Sequence, residues 1–92
     1  MNLLKMDRFG TILTGRPFGK KVMEELRPNL KYPVILDFER VLSLGSSFGD
    51  EVVAVIAKNQ NCEISVRNAN KAVEACLFQM AADHEIKIVV VV

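Results

Sequence analysis

The 92-residue sequence predicts an α/β fold with a mixed sheet of four or five strands and about three helices. After residue 30, short β-branched runs alternate with longer segments of helical periodicity, an order typical of βαβ crossovers. Half of the residues are apolar, which is enough for one hydrophobic core. Chains of this length usually form one domain, so we predict a single domain over residues 1–92.

The first third of the chain predicts two strands and one helix. The strands are expected at residues 2–6 and 11–14, and the turn Asp7–Gly10 would join them as a hairpin. This hairpin is what would make the sheet mixed. A helix follows that begins at Pro17, which suits the first helical turn, and ends before Pro28.

The rest of the chain predicts strands and helices in alternation, at residues 34–38, 47–58, 62–66, 69–83 and 86–92. The first of these strands is almost entirely apolar, which favours burial on both faces. The second alternates between apolar and polar residues, which favours one exposed face. The last is strongly β-branched and belongs within the sheet, and an unpaired edge there would favour homo-oligomers.

Composition argues against several classes of function. Twelve basic and eleven acidic residues give a net charge of +1 without a basic block, so we expect no nucleic-acid partner. Cys62 and Cys76 form neither a disulfide framework nor a metal site. No signal peptide or membrane-spanning run is recognisable, which predicts a cytoplasmic chain without a membrane partner.

No catalytic site is predicted. The single histidine, His84, follows a helix without a motif for a nucleophile or an orienting acid, so we expect a solvated helix end and no enzymatic activity. Asp37 and Glu39, with Asp50 and Glu51, are acidic residues around a strand end and a helix start. Backbone and helix-dipole interactions account for them better than a metal does, and no cofactor is expected.

The most informative segment is residues 34–53, where a buried strand ends in an acidic residue and two serines open a helix. Ser46 and Ser47 place hydroxyls at the helix N-terminus, where unpaired N–H groups and the helix dipole favour negative charge. Ser47 could cap the helix, and losing such a cap costs about 0.5–2 kcal/mol. A phosphoryl group would instead turn a partner-binding face into a repelled one. Capping is the simpler interpretation, because Asp50 and Glu51 in the first turn would repel a phosphate.

Arg16 stands at the entry of the first predicted helix, between Gly15 and Gly19. An arginine at a helix N-terminus can hold an anion. The spacing alone is a weak signal, and the glycines can serve only the turn, which is the simpler interpretation.

Four segments together resemble a known family. They are the sequences GRPFGK, DFERV, SFGDE and ISVRN, which begin at Gly15, Asp37, Ser47 and Ile64. Over roughly residues 9–85 the chain resembles the short bacterial STAS-like domains of unknown function, which are distant relatives of the anti-sigma factor antagonists. The resemblance implies a STAS-like α/β fold.

The resemblance also implies a non-enzymatic regulatory domain that binds another protein. In anti-sigma factor antagonists, a histidine-kinase-like ATPase phosphorylates a serine at this helix start, and the complex is released. Ser46 takes that position and Ser47 the next. The surroundings differ, because the antagonists have an acidic residue before the serine and Gly-Leu after the pair, whereas this chain has Gly45 and Phe48-Gly49.

The predicted partner-binding surface is the loop and first helical turn, with Ser43, Gly45, Ser46, Asp50 and Glu51. Its partner would be a kinase, an ATPase or a second STAS-like chain. Some STAS relatives respond to nucleotides, so the alternative function is binding of a small phosphorylated ligand near Arg16 and the serine pair.

Overall fold

The computed structural model describes residues 2–91, and the apolar strands expected from the sequence form the centre of its fold. Within these residues there are six strands and four α-helices. They are β1 (Asn2–Lys5), β2 (Ile12–Leu13), α1 (Arg16–Leu26), β3 (Val34–Asp37), β4 (Ser43–Leu44), α2 (Ser46–Glu51), α3 (Val53–Lys58), β5 (Glu63–Arg67), α4 (Lys71–His84) and β6 (Lys87–Val90). The end of the predicted last strand at Val92 lies outside the described residues. No helix of the described part is long and apolar enough to cross a membrane.

Four strands form the main sheet in the order β1-β3-β5-β6, and every neighbouring pair is parallel. One row of side chains crosses the whole sheet in register, from Leu4 through Leu36 and Val66 to Val90. The chain advances across this sheet in one direction only. Right-handed crossovers therefore place all helices on the same face, where α2 packs against both α1 and α4.

The expected α/β class is confirmed, but the hairpin between the first two strands is wrong, and the sheet is not mixed. β2 does not pair with β1; it pairs in parallel with β4 in a separate two-stranded sheet. Between β1 and β2 the chain makes a turn of 3-10 helix at Met6–Phe9, and Met6 is fully buried. This turn carries the chain into the core instead of reversing it, and β1 finds its apolar neighbour in β3.

The two faces of the main sheet differ in burial. Under the helices, Leu36, Ile64 and Val66 are fully buried, whereas on the opposite face Leu3 is 45% exposed and Ile35 is half-buried. The expectation that residues 34–38 are buried on both faces is therefore wrong at Ile35. The predicted alternation is confirmed for residues 63–66, but Cys62 is exposed and lies before the strand.

The helix expected at residues 47–58 begins one residue earlier and bends at Val52, which has φ −113° and ψ −65°. The bend separates α2 from α3, although the backbone hydrogen bonds continue, with the Val52 N–H donating to the Phe48 carbonyl at 3.0 Å. As a result α2 packs on its neighbouring helices while α3 packs on β5.

Helices α1 and α2 meet at a glycine. A Cβ atom on Gly19 would lie 2.8 Å from Cβ of Glu51 and 3.4 Å from Cα of Phe48. The ring of Phe48 is fully buried and lies 5.5 Å from that of Phe18, measured between centroids. This close approach brings the N-terminus of α1, including Arg16, beside α2.

We predict that Gly19→Ala destabilises the protein, although alanine is the better helix former by about 1 kcal/mol. The added methyl group would force α1 away from α2, and overpacking of this kind costs about 1–3 kcal/mol. Urea unfolding would measure the loss. Lys20→Ala, at the exposed next position, is the matched control and should change the free energy of unfolding by less than about 0.5 kcal/mol. A stabilised Gly19→Ala protein would contradict the tight contact.

Candidate functional site

The serine pair opens α2, but neither serine caps it. Gly45 is the N-cap residue in an extended conformation, Ser46 is the first helical residue and Ser47 the second, and no side chain accepts a hydrogen bond from the exposed N–H groups of this turn. The expectation that Ser47 caps the helix is therefore wrong, because the helix starts one residue earlier. Ser46 is exposed and Ser47 is half-buried.

Gly45 brings the entries of α1 and α2 together. Its N–H donates to the Leu13 carbonyl at 2.8 Å, so the parallel pairing of β2 with β4 continues up to the start of α2. A Cβ atom on Gly45 would lie only 3.1–3.3 Å from atoms of Thr14. Ser43 is the first residue of β4, and its N–H donates to the Thr11 carbonyl at 3.2 Å. The predicted residues Ser43, Gly45 and Ser46 therefore form one short strand-to-helix junction.

Asp50 and Glu51 point away from this junction and pair with Arg16. Nη2 of Arg16 donates to Oδ2 of Asp50 at 3.2 Å, and Nη1 donates to Oε2 of Glu51 at 2.5 Å. The hydrogen bond that Arg16 donates to Glu51, followed by the one to Asp50, raises the pKa of Arg16. Both carboxylates lie beyond the first turn of α2, so the expectation that they belong to that turn is wrong, although Asp50 follows Ser46 by only one helical turn. An anion at Arg16 would have to compete with two carboxylates that already neutralise its charge.

His84 extends this ion pair across three helices. Its Nε2 lies 2.8 Å from Oδ1 of Asp50, and its Nδ1 lies 3.2 Å from Nζ of Lys58. The ammonium group of Lys58 can only donate, so Nδ1 accepts and Nε2 carries the proton that is donated to Asp50. The expectation of a solvated helix end is wrong, because His84 ties α4 to α2 and α3. We call Arg16, Asp50, Glu51, Lys58 and His84 the interhelix network.

Contacts within the network also shift the pKa of Asp50, one of its members, and contribute to the pKa shift of the nearby Cys76. Burial raises the pKa of Asp50, but its hydrogen bonds to His84 and Arg16 outweigh that effect and bring the pKa below its usual value. Burial, followed by the charge of Asp50, raises the pKa of the Cys76 thiol. A thiol with a raised pKa is protonated at neutral pH and is a poor nucleophile.

Asp37 lies in a separate polar cluster at the carboxyl end of β3. Its carboxylate is 2% exposed, and Oδ1 accepts hydrogen bonds at 3.0 Å from the side chain of Asn68 and from the backbone N–H of Glu39. Nε of Arg67 lies 3.9 Å from Oδ2. Burial raises the pKa of Asp37, but these hydrogen bonds together with the charges of Arg67 and Lys5 outweigh it, so the pKa is lowered.

The acidic residues around the predicted strand end and helix start therefore do not form one cluster. They are Asp37, Glu39, Asp50 and Glu51. Asp37 fastens β3 to the turn after β5, whereas Asp50 and Glu51 bind Arg16. Within residues 2–91 no group of three or more His, Cys, Asp or Glu side chains is placed to hold a metal ion.

Asn70 is a positioning residue that the sequence interpretation missed. Its Oδ1 accepts from the Val73 N–H at 2.8 Å and caps α4, while its Nδ2 donates to the carbonyls of Val41 and Leu42, both at 3.2 Å. The segment before the serines is thereby fastened to the N-terminus of α4. The signal was present, since asparagine is a preferred N-cap residue directly before a helical pattern.

Two large aliphatic side chains are exposed beside the serine junction. Ile12 in β2 is 60% exposed and Leu42 just before β4 is 64% exposed. They lie on adjacent chain segments, because the Leu42 N–H donates to the Thr11 carbonyl at 2.7 Å. The surface pockets at the edge of β1 and between α1 and α3 lie elsewhere, and no serine lines either of them.

We predict that Asp37→Asn lowers the free energy of unfolding at pH 7 by about 1–3 kcal/mol, because the buried site is built for a charged acceptor. The folded pKa lies below the unfolded value of about 3.9, so the carboxylate stabilises the fold above that pH. Its contribution disappears as the pH falls through the lower, folded pKa. Urea titrations at pH 7 and at about pH 3 should therefore show a smaller difference between the two proteins in acid.

Glu39→Gln is the control for this comparison. Its side chain is exposed, so the free energy of unfolding should change by less than about 0.5 kcal/mol. A difference between wild type and Asp37→Asn that stays constant from pH 7 to acid would show that the charge of Asp37 does not contribute.

Comparison with known proteins identifies the family. Searches of curated proteins and of solved structures gave no significant match. A family model described as a STAS-like domain of unknown function (DUF4325) matches residues 19–74, more than half of the chain. The match spans the serine junction, Asp37 and Asn70, whereas Arg16 and His84 lie outside it. The chain therefore belongs to the family of STAS-like domains of unknown function.

Proposed function

We propose that this chain is a cytoplasmic, non-enzymatic regulatory domain that binds a protein partner through its serine junction. We define the serine surface as Ile12, Leu42, Ser43, Gly45 and Ser46. The observation that carries the proposal is the exposure of Ile12 and Leu42, at 60% and 64%, beside an exposed serine. Large apolar side chains exposed on adjacent segments favour association with another protein.

The serine surface is held in place before any partner arrives. Asn70 binds the two carbonyls that precede Ser43, and the Gly45 N–H binds the Leu13 carbonyl. Below the surface, Arg16 ties α1 to α2. A preformed surface loses little conformational entropy on binding, which favours affinity.

We further propose that phosphorylation of Ser46 switches this binding. The Ser46 side chain is exposed and makes no capping hydrogen bond, so modification would break no contact of the fold. A phosphoryl group adds a charge of about −1.5 to −2. Beside Ile12 and Leu42, that charge would have to be desolvated in the complex, which opposes binding. The neighbouring charges of Asp50 and Glu51 are balanced by Arg16, which weakens their repulsion.

The similarity of the serine position to that of anti-sigma factor antagonists suggests the partner. We propose a bacterial kinase or ATPase of the histidine-kinase-like type, which would both bind the serine surface and modify Ser46. The alternative, a small phosphorylated ligand held by Arg16, has less support because both terminal nitrogens of the guanidinium group already bind carboxylates.

Phosphorylation is tested by intact-protein mass spectrometry on the chain purified from its native cells. We expect an added mass of about 80 Da, one phosphoryl group, that is absent from Ser46→Ala. Ser47→Ala is the matched control, because Ser47 is the half-buried neighbour, and it should retain the added mass. An added mass that survives in Ser46→Ala, or an unmodified chain in every growth condition, would refute the switch.

Partner binding is tested by affinity capture from native cells with quantification of the retained proteins. Ile12→Ser with Leu42→Ser, and separately Ser46→Asp, should each lower recovery of the same partner at least about tenfold, a loss of about 1.4 kcal/mol. Leu3→Ser is the control, since Leu3 is also exposed but lies on the open face of the main sheet. Equal recovery with all variants would show that the serine surface is not the binding site.

A further inference from the structure

The main sheet ends at an unpaired strand. Among residues 2–91, β6 pairs only with β5. The N–H groups of Lys87 and Val91 donate to the carbonyls of Cys62 and Val66, both at 2.9 Å. Since successive residues of a strand direct their backbone groups to opposite sides, the N–H and C=O groups of Ile88 and Val90 point away from β5. The outer edge therefore presents two free donors and two free acceptors.

This edge lacks the usual protection against pairing. Natural edge strands are commonly blunted by charged side chains, proline or a bulge. Here Lys87 is the only charged residue, and residues 88–91 are all β-branched and aliphatic. The other edge strand, β1, begins and ends with polar residues.

Helix α4 adds an apolar side chain above the same edge. Phe78 is 48% exposed and Val90 is 51% exposed. Phe78 lies six residues before the end of α4, about 9 Å along the helix. Val90 lies three residues after the start of β6, about 10 Å along the strand. Since the two elements run antiparallel in the βαβ unit, Phe78 and Val90 lie at the same height.

The outer face of α4 would also permit a close neighbour. Ala75 and Ala82 are exposed and lie three residues before and four residues after Phe78, on the same side of the helix. Small side chains around one aromatic residue allow two helices to approach closely. The opposite face of α4, formed by Val73, Leu77 and Met80, packs against the core.

We propose that two copies of this chain associate through β6, antiparallel about a two-fold axis at Val89, so that two four-stranded sheets form one continuous sheet. Ile88 of each copy would lie opposite Val90 of the partner subunit. This register makes four N–H···O=C hydrogen bonds and uses every free backbone group of Ile88 and Val90. Each α4 would lie beside its counterpart, with Phe78 at the contact.

Charge favours a second copy as the occupant. In this register Lys87 lies opposite Val91 of the partner subunit, so no like charges face each other across the strands. Lys87 is also paired with Glu63 of its own chain at 3.5 Å. Each copy would contribute a helix about 21 Å long and one strand edge, which is a small contact of the kind found in weak interfaces. We therefore expect a dimer with a micromolar dissociation constant.

The inference does not depend on the proposed function. β6 is at one end of the strand order, whereas the serine surface belongs to the separate β2–β4 sheet. A dimer through β6 would leave both serine surfaces accessible.

Sedimentation-velocity ultracentrifugation of the full chain, from about 1 to about 200 µM, tests the proposal. Wild type should shift from monomer to dimer over this range. Val90→Lys and Phe78→Ser should each raise the dissociation constant at least about 30-fold, because they place a charge or a polar group in the contact. Leu3→Lys, at an aliphatic residue of similar exposure (45% against 51% for Val90) on the open face of the main sheet, is the matched control and should dimerise like wild type.

Amide hydrogen exchange on the wild-type chain gives a second test that needs no variant. The N–H groups of Ile88 and Val90 should exchange more slowly as the protein concentration rises, whereas that of Val91, already bonded to Val66, should change less. A wild type that stays monomeric at the highest concentration would overturn the proposal. A dimer unaffected by Val90→Lys and Phe78→Ser, with concentration-independent exchange at Ile88, would overturn it equally.

Discussion

The contact between α1 and α2 at Gly19 is the constraint on which the rest of the structure depends. Because Gly19 has no side chain, the backbone of α1 can lie against Phe48 and Glu51, and Phe48 is completely buried. The same approach brings Arg16 within hydrogen-bonding distance of Asp50, which in turn binds His84. One missing methyl group thus permits both the apolar contact and the interhelix network that joins all four helices.

The fold repeats one unit at its start. β1, a short connection, β2 and α1 are followed by β3, a short connection, β4 and α2. Parallel pairing of β1 with β3 and of β2 with β4 aligns the two units, so their helices begin side by side. The serine surface lies where the second unit turns from strand to helix. Asn70 fastens the segment before β4 to α4, which gives an exposed segment the support of a buried element.

Charged residues near the serines serve the fold more than the surface. Asp50 and Glu51 bind Arg16, and Asp37 is enclosed by Asn68 and the Glu39 N–H. Lowered pKa values of Asp37 and Asp50 reflect these internal partners. What remains exposed at the junction is the Ser46 hydroxyl group, with the aliphatic side chains of Ile12 and Leu42 on neighbouring segments. That combination suits a protein interface whose strength a single phosphoryl group can change.

The amino-acid sequence by itself determined the α/β class, the family and the positions of most elements, because apolar periodicity and the STAS-like motifs are local signals. It also identified the junction at Ser46. Only the tertiary structure decided which strands pair, since the sequence pattern places a strand at residues 11–14 but does not show that β4 is its neighbour. The same holds for Arg16, Asp50 and His84, whose hydrogen bonds join residues 34 positions apart. Such contacts depend on how helices pack around the core, and no local pattern encodes them.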